Sequence, residues 1–207
     1  MNVLLVNGSP HEHGCTDTAL NEIGKVLESE GVGVSHFWIG NQPIGGCVAC
    51  KGCYETGKCA FGGVVNDFAE AAAQYDGFVF GSPVHYAALS GNMTAFLDRV
   101  FYSAPKSLFR GKAAAVLVSA RRAGTTAAFE QLLKYPTYSE MYLACGSYWP
   151  MVHGSCPSDV LKDEEGVRTM RVMAHNLAYL LKCLEAGKKA GVPAPLPEPP
   201  ARTNFIR

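Results

Sequence analysis

Val3-Leu-Leu-Val6 puts four apolar residues in a row directly ahead of Asn7-Gly-Ser-Pro-His-Glu-His-Gly-Cys-Thr16-Asp-Thr18. A run that short and that apolar reads as a buried strand rather than a helix. Gly8, Ser9, Pro10 and Gly14 then break the chain. A helix is expected from about Asp17, capped by Thr16 or Asp17, with Leu20, Ile23, Val26 and Leu27 on its inner stripe. A strand, a polar loop and a helix N-terminus together favour an anion, because backbone N–H groups are free there and the helix dipole is positive. Ser9, Thr16 and Thr18 add hydroxyl donors. The loop has neither the Gly-rich lysine motif of triphosphatases nor G-x-G-x-x-G, so a monophosphate suits it better than a pyrophosphate. Taken alone, the same stretch also reads as an ordinary βα turn.

The remainder of the chain repeats this alternation. Strands are expected near Val32 to Ile39, Gly77 to Gly81, Ala113 to Ser119 and Met141 to Ser147. Helices are expected near Val65 to Gln74, Ser90 to Tyr102, Thr126 to Lys134 and Glu164 to Ala190. In the last of these, Val167, Met170, Leu177, Leu180, Leu181 and Leu184 make the inner stripe. Strand–helix alternation predicts an α/β fold, a doubly wound five-stranded parallel sheet of order 2-1-3-4-5. Residues 1–190 form one domain in this reading, with a Cys-rich insertion at 40–63 after strand two. The proline-rich stretch 191–207 is expected to lie extended over a surface, since repeated prolines exclude helix and central strand. In the 2-1-3-4-5 order strands one, three and four are neighbours, so the loops that follow them converge on one crevice.

Composition narrows the partners. Lys+Arg 18 against Asp+Glu 18 gives no electrostatic case for nucleic acid or an anionic membrane. No apolar run is long enough to span a bilayer, and the N-terminus enters the first strand without a charged leader, so a cytoplasmic location is expected. There the 8 cysteines stay reduced, and clustered ones read as ligands or redox groups.

Three loops carry the chemistry. After strand three, Gly81-Ser-Pro-Val-His-Tyr86 offers flat side chains and backbone N–H groups to a planar ring, although His85 and Tyr86 would also suit packing against helices. After strand four, Ser119-Ala-Arg-Arg-Ala-Gly124-Thr-Thr supplies two arginines and two potential helix caps, a second anion-friendly corner. Arg122 is equally well read as a solvated surface charge. The sharpest signal is Cys47-Val-Ala-Cys50-Lys-Gly-Cys53-Tyr-Glu-Thr-Gly-Lys-Cys59, spaced C-x2-C-x2-C-x5-C. Thiolates so spaced can wrap one small inorganic centre, as in ferredoxin-type runs, though Ala60 stands where those runs place proline. Zinc prefers two ligand pairs with a longer spacer. A loop of free thiols, or one redox-active pair, is the remaining reading. Cys15, at a helix N-terminus, is either reactive or packed. Cys145, Cys156 and Cys183 read as buried thiols, and His153 as structural.

With those motifs in order, the chain resembles the flavodoxin-like NAD(P)H-dependent FMN reductases. The motifs are Val3–Asn7 with Gly8-Ser9-Pro10, Gly81 to Tyr86, Phe96-Leu-Asp98-Arg99 and Ser119 to Gly124. The cysteine run resembles the iron–sulfur flavoprotein branch. The resemblance implies FMN, with its phosphate held by Ser9, His11, Thr16, Asp17 and Thr18. It places the ring against Pro83, Val84, His85 and Tyr86, and the other edge at Ser119, Arg121 and Gly124. It implies Cys47, Cys50, Cys53 and Cys59 as ligands of a [4Fe–4S] cluster, NAD(P)H as a transient electron donor, and a homodimer or homotetramer.

The chemistry expected is therefore electron transfer through bound FMN to a small acceptor or a redox protein. The flavin itself is the reactive group, so no side chain is assigned a catalytic role. Two rivals stand beside an NAD(P)H-dependent enzyme. One is an iron–sulfur flavoprotein carrier without small-substrate turnover, and the other a non-redox module stapled by zinc.

Overall fold

The computed structural model describes residues 1–201, 203 and 205. The first apolar run forms β1 (Asn2–Asn7), buried from Val3 to Asn7. Because strand side chains alternate, Val3 and Leu5 enter one core while Leu4 and Val6 enter the other. There follow α1 (Cys15–Ser29), β2 (Gly33–Trp38), α2 (Cys53–Thr56), α3 (Val64–Ala72), β3 (Gly77–His85) and β4 (Ala88–Leu89). The chain continues with α4 (Gly91–Ser103), β5 (Ala113–Ala120), α5 (Thr125–Tyr138), β6 (Tyr142–Leu143), β7 (Met151–His153), α6 (Pro157–Val160) and α7 (Glu164–Lys189).

The sheet runs β2-β1-β3-β5-β6, with β7 also on β5, and all of these pairs are parallel. This is the flavodoxin-like α/β fold. The expected order 2-1-3-4-5 is recovered once two features are recognised. β4 is a short antiparallel return on β3. The fifth strand is interrupted: β6 pairs with Ala113 and Ala114 at the start of β5, and β7 with Val118 to Ala120 at its end. The expectation of one strand from Met141 to Ser147 is thus corrected. β6 ends at Leu143, and the chain rejoins β5 only at Met151; between them Gly146 packs on Thr169 of α7, where a Cβ would lie 2.9 Å from the threonine methyl.

Helices cover both faces. α1 and α7 pack Leu20, Ile23, Leu27, Met170, Met173 and Leu177 on one. α3, α4 and α5 pack Phe68, Phe96, Val100 and Leu132 on the other, where Phe68, Phe78 and Phe80 stack as one aromatic group. Each fully buried phenylalanine contributes about 2 kcal/mol by area, which makes this side of the sheet a firm platform. α1 is also tied to α7 through buried Glu22, which accepts from Arg171 at 2.7 Å and from Lys25 at 2.6 Å.

From Val192 to Ala201 the chain has neither helix nor strand and its side chains are exposed. The extended stretch expected over 191–207 includes 202, 204, 206 and 207, which lie outside the described residues. No helix among the described residues is long and apolar enough to cross a membrane.

Candidate functional site

The carboxyl ends of β1, β3 and β5 lie side by side, with Asn7 opposite Gly81 and Pro83 opposite Ser119. Their loops are stapled together by buried polar groups. The Gly8 N–H donates to the Gly81 carbonyl at 2.8 Å. The Ser90 hydroxyl donates to the Gly8 carbonyl at 2.8 Å, while its own N–H donates to Ser82 Oγ at 3.2 Å. Thr16 and Ser119 share a hydroxyl–hydroxyl bond of 2.8 Å, joining the first loop to the end of β5. The three loops therefore meet at the end of the sheet where an open α/β fold offers its ligand crevice.

In the first loop the Ser9 N–H donates to Asn7 Oδ1 at 3.0 Å, Asn7 Nδ2 to the Glu12 carbonyl at 2.9 Å, and Trp38 Nε1 to the Ser9 carbonyl at 2.8 Å. Ser9 is buried and its hydroxyl accepts from the His11 N–H at 3.1 Å. Helix α1 begins at Cys15 with Gly14 as its N-cap and no side-chain cap, which corrects the expected capping by Thr16 or Asp17. The reason is visible in their bonds. The Thr16 hydroxyl is turned inward to Ser119, and the Thr18 hydroxyl donates to the Gly14 carbonyl at 3.0 Å. Asp17 accepts from Asn21 at 3.0 Å and lies 3.5 Å from the His13 ring. The N–H groups of Cys15, Thr16 and Asp17, in the first helical turn, are left without a helical acceptor and face the loop. The free donors at this helix start are thus chiefly main-chain. Cys15 is half-buried with its thiol donating to the Gly154 carbonyl at 3.6 Å, and burial first, then Cys156, pushes that thiol up, which favours the packed reading.

β3 does not stop at Gly81. Ser82 and Pro83 still pair with Val118 and Ser119, then Val84 and His85 turn back against Leu89 and Ala88. The expected loop is a strand end with a two-residue hairpin, and Tyr86 and Ala87 occupy it with φ of 51° and 59°. Non-glycine residues seldom adopt this left-handed conformation, though a tight hairpin requires it at both positions. Packing of His85 and Tyr86 against helices is excluded, because both are exposed and Tyr86 stands fully in solvent. Opposite it, Gly124 has φ 97°, and a Cβ there would lie 2.8 Å from Ala87 Cα and 3.2 Å from Val84 Cγ1. Gly124 rather than either threonine is the N-cap of α5, and its lack of a side chain lets the β5 loop close on the hairpin. Arg121 and Arg122 are exposed at this rim, as are Tyr148 and Trp149.

The four clustered cysteines line a single pocket against the C-terminal half of α4, together with Lys51, Phe61, Arg99 and Tyr102. Cys47 and Cys50 are exposed, Cys53 is buried and Cys59 half-buried. The loop winds tightly, with Ala49 at φ 52° and Lys51 at φ 63°, one left-handed residue in each of the first two C-x2-C intervals. Asn66 grips Cys59 on both sides, accepting from its N–H at 2.9 Å and donating to its carbonyl at 3.0 Å. Buried Arg99 donates Nε–H to Cys59 Sγ at 3.2 Å. The Tyr54 and Tyr102 hydroxyls are 3.0 Å apart, and this contact pushes the Tyr102 phenol up to about 12. Among the described residues no three His, Cys, Asp or Glu side chains close on a single point as ligands of one ion. Cys145, Cys156 and Cys183 are exposed, which corrects their reading as buried thiols, and His153 N–H donates to Asp163 at 2.7 Å in a structural contact.

Asn7, Ser82 and Arg99 lie within motifs quoted above, but nothing there announces their buried hydrogen bonds, and Ser90 and Asn66 lie in none of them. Only Ser90, directly before a helical run, carried a signal of use, since serine is a favoured N-cap.

A crevice at the carboxyl end of a flavodoxin-like sheet, with main-chain donors at the first helix, defines a flavin-binding class of fold. The chain belongs to the NADPH-dependent FMN reductase family, which matches residues 1–155. It is accordingly an FMN-dependent oxidoreductase. Among curated proteins it is similar to an iron–sulfur flavoprotein of Methanocaldococcus jannaschii, 26% identical over 196 residues that cover 89% of this chain and 100% of the relative. An iron–sulfur flavoprotein of Archaeoglobus fulgidus is 26% identical over 190 residues, covering 87% and 97%. Among solved structures, RosB with bound 8-demethyl-8-formylriboflavin-5'-phosphate superposes with a TM-score of 0.69 at 13% identity, covering 100% of this chain and 92% of that one.

Proposed function

We propose that this protein is an NAD(P)H-dependent iron–sulfur flavoprotein, passing electrons from FMN in the crevice to a [4Fe–4S] cluster in the cysteine pocket or to a small acceptor. The observation that carries the reading is the convergence of Cys47, Cys50, Cys53 and Cys59 on one pocket packed on α4. A cluster is wider than a single ion and suits thiols that share a pocket without closing on one point. Bound FMN would supply hydride acceptance followed by release of electrons singly or in pairs, and the cluster would take them one at a time.

In this reading the N–H groups of the α1 first turn hold the FMN phosphate, with Ser9, His11 and Thr18 around it. Thr16 fixes the loop through Ser119, and Asp17 orients His13 rather than meeting the anion. Pro83, Val84, His85 and Tyr86 bound the ring site, and Arg121 and Gly124 close its other edge. Main-chain donors and exposed arginines at that rim favour an electron-rich ring. Helix α4 joins the two sites: Ser90 sits at the crevice, and Arg99 lies roughly 14 Å further along the axis at 1.5 Å per residue. Residues 1–190 act as one flavin-binding unit with an appended arm. The exposed aromatics Tyr86, Tyr148 and Trp149 around the crevice favour a homodimer or homotetramer, and we place the protein in the cytoplasm.

The second reading, a carrier between redox proteins, draws on the exposure of Cys47 and Cys50, which opens the pocket to a docking partner. Anaerobically purified protein, assayed together for absorption, iron, sulfide and FMN, tests the proposal. Flavin bands with about four irons per chain, lost in Cys50→Ala, are the expected result. Flavin without iron would remove the cluster. Sustained NAD(P)H oxidation without a partner protein would favour the enzyme over the carrier.

A further inference from the structure

Arg99 is 7% exposed, yet its three bonds go to Cys59 Sγ at 3.2 Å, the Gly62 carbonyl at 2.9 Å and the Gly45 carbonyl at 3.4 Å. None of these partners is a carboxylate. Its neighbour Asp98 is engaged elsewhere, accepting from the Tyr135 hydroxyl at 2.7 Å. A guanidinium is always charged in proteins, and burying one beside neutral groups alone is costly. The carbonyls of Gly45 and Gly62 flank the cysteine run on either side, so Arg99 also brackets the loop. Two lysines lie nearby, but Lys58 pairs outward with Glu70 at 2.7 Å and Lys51 is exposed, where water screens it. Arg99 is therefore the buried positive charge of this pocket.

We propose that Arg99 is the counter-charge of the cysteine pocket, raising the electron affinity of the centre held there while its side chain clamps the loop shut. The inference rests on the iron–sulfur reading above. Reduction adds one electron, and so one negative charge, beside the guanidinium, with no bond made and no proton taken. A buried cation and an N–H···S bond both favour that added charge, and net charge and hydrogen bonds to sulfur are what set cluster potentials. The cation–π contact of Arg99 with Phe61, 5.9 Å to the ring centroid, shields it from solvent on the outer side.

The test compares wild type, Arg99→Gln and Arg99→Lys, each purified anaerobically as holoprotein, by iron, sulfide and FMN content and by a redox titration monitored by electron paramagnetic resonance. Equal FMN content in all three reports an intact fold. Arg99→Gln is expected to weaken electron uptake about tenfold, a potential ~59 mV more negative. Arg99→Lys is expected to stay near the wild-type potential but to lose iron faster to a chelator, because an ammonium cannot bracket both carbonyls. An unchanged potential in Arg99→Gln overturns the proposal. If Arg99→Gln retains no iron, Arg99→Lys decides: retention supports the counter-charge, and loss in both overturns it in favour of a purely mechanical clamp. Wild type with FMN but no iron would defeat the cluster reading itself, and this inference with it.

Discussion

Thr16 and Ser119, 103 positions apart in the chain, share a buried hydroxyl bond of 2.8 Å. It joins the first turn of α1 to the end of β5, so the loop proposed to hold the FMN phosphate and the loop at the far edge of the ring move as one. Thr16→Val keeps the shape and leaves the Ser119 hydroxyl buried without a partner, which should cost about 1–3 kcal/mol. Urea unfolding should show a lower midpoint with unchanged slope, and FMN binding followed by flavin fluorescence should weaken. Adding Ser119→Ala should recover part of the lost stability, because neither partner is then stranded. A double variant as unstable as the sum of the singles would show that the bond is not what matters.

Tyr86 invites a variant whose two effects have opposite signs. With φ at 51° it sits in a conformation that disfavours any side chain by about 1–2 kcal/mol, yet its ring makes no compensating burial. Tyr86→Gly should therefore raise thermal stability by about 1 kcal/mol while weakening FMN binding, if the ring stacks on the flavin site as proposed. Stabilisation with unchanged flavin affinity would remove Tyr86 from the site.

How much of this was legible beforehand follows from the range of the interactions. β1, β2, β5 and α7 were visible because apolar periodicity is local, and Val167, Met170 and Leu177 pack where their spacing puts them. The end of β3 was not, since Pro83 is held in the sheet by Ser119 of β5, which lies far along the chain. The broken fifth strand is hidden likewise: its two halves, β6 and β7, pair with opposite ends of β5, a partner distant in the chain. Within the site, the cysteine spacing was a local signal and brought its four residues to one pocket. The inward turn of Thr16 was not legible, because no neighbour in sequence announces Ser119 as its partner.

The Glu22–Arg171 contact makes a prediction about pH. Bonds from Lys25 first, and then from Arg171, hold the Glu22 carboxyl below the usual carboxylate range against the opposing effect of burial. A carboxylate depressed in the fold contributes stability that is complete above its unfolded value, near 4.3, and is lost as pH falls through the lower folded value. Glu22→Gln should thus be less stable than wild type at pH 7 by roughly 1–2 kcal/mol, with the gap closing below about pH 4. Chemical denaturation at pH 7, 5 and 3.5 measures it, and a gap independent of pH would assign the loss to packing.

Ser90 offers the most direct test of the crevice as a unit. Its hydroxyl accepts from the Met93 N–H at 3.2 Å, capping α4, and donates to the Gly8 carbonyl at 2.8 Å, while its own N–H reaches Ser82. Ser90→Ala removes the cap and strands the Gly8 carbonyl, two losses of about 1 kcal/mol each. Ser90→Asn restores a cap, since asparagine serves that position as well as serine does, but its longer side chain cannot reproduce the short bond to Gly8. The alanine variant should therefore lose both stability and FMN affinity, and asparagine should recover stability without recovering affinity. If both variants bind FMN as wild type does, the link between α4 and the first loop is structural only. The proposed path from the crevice along α4 to the cysteine pocket would then lose its mechanical basis.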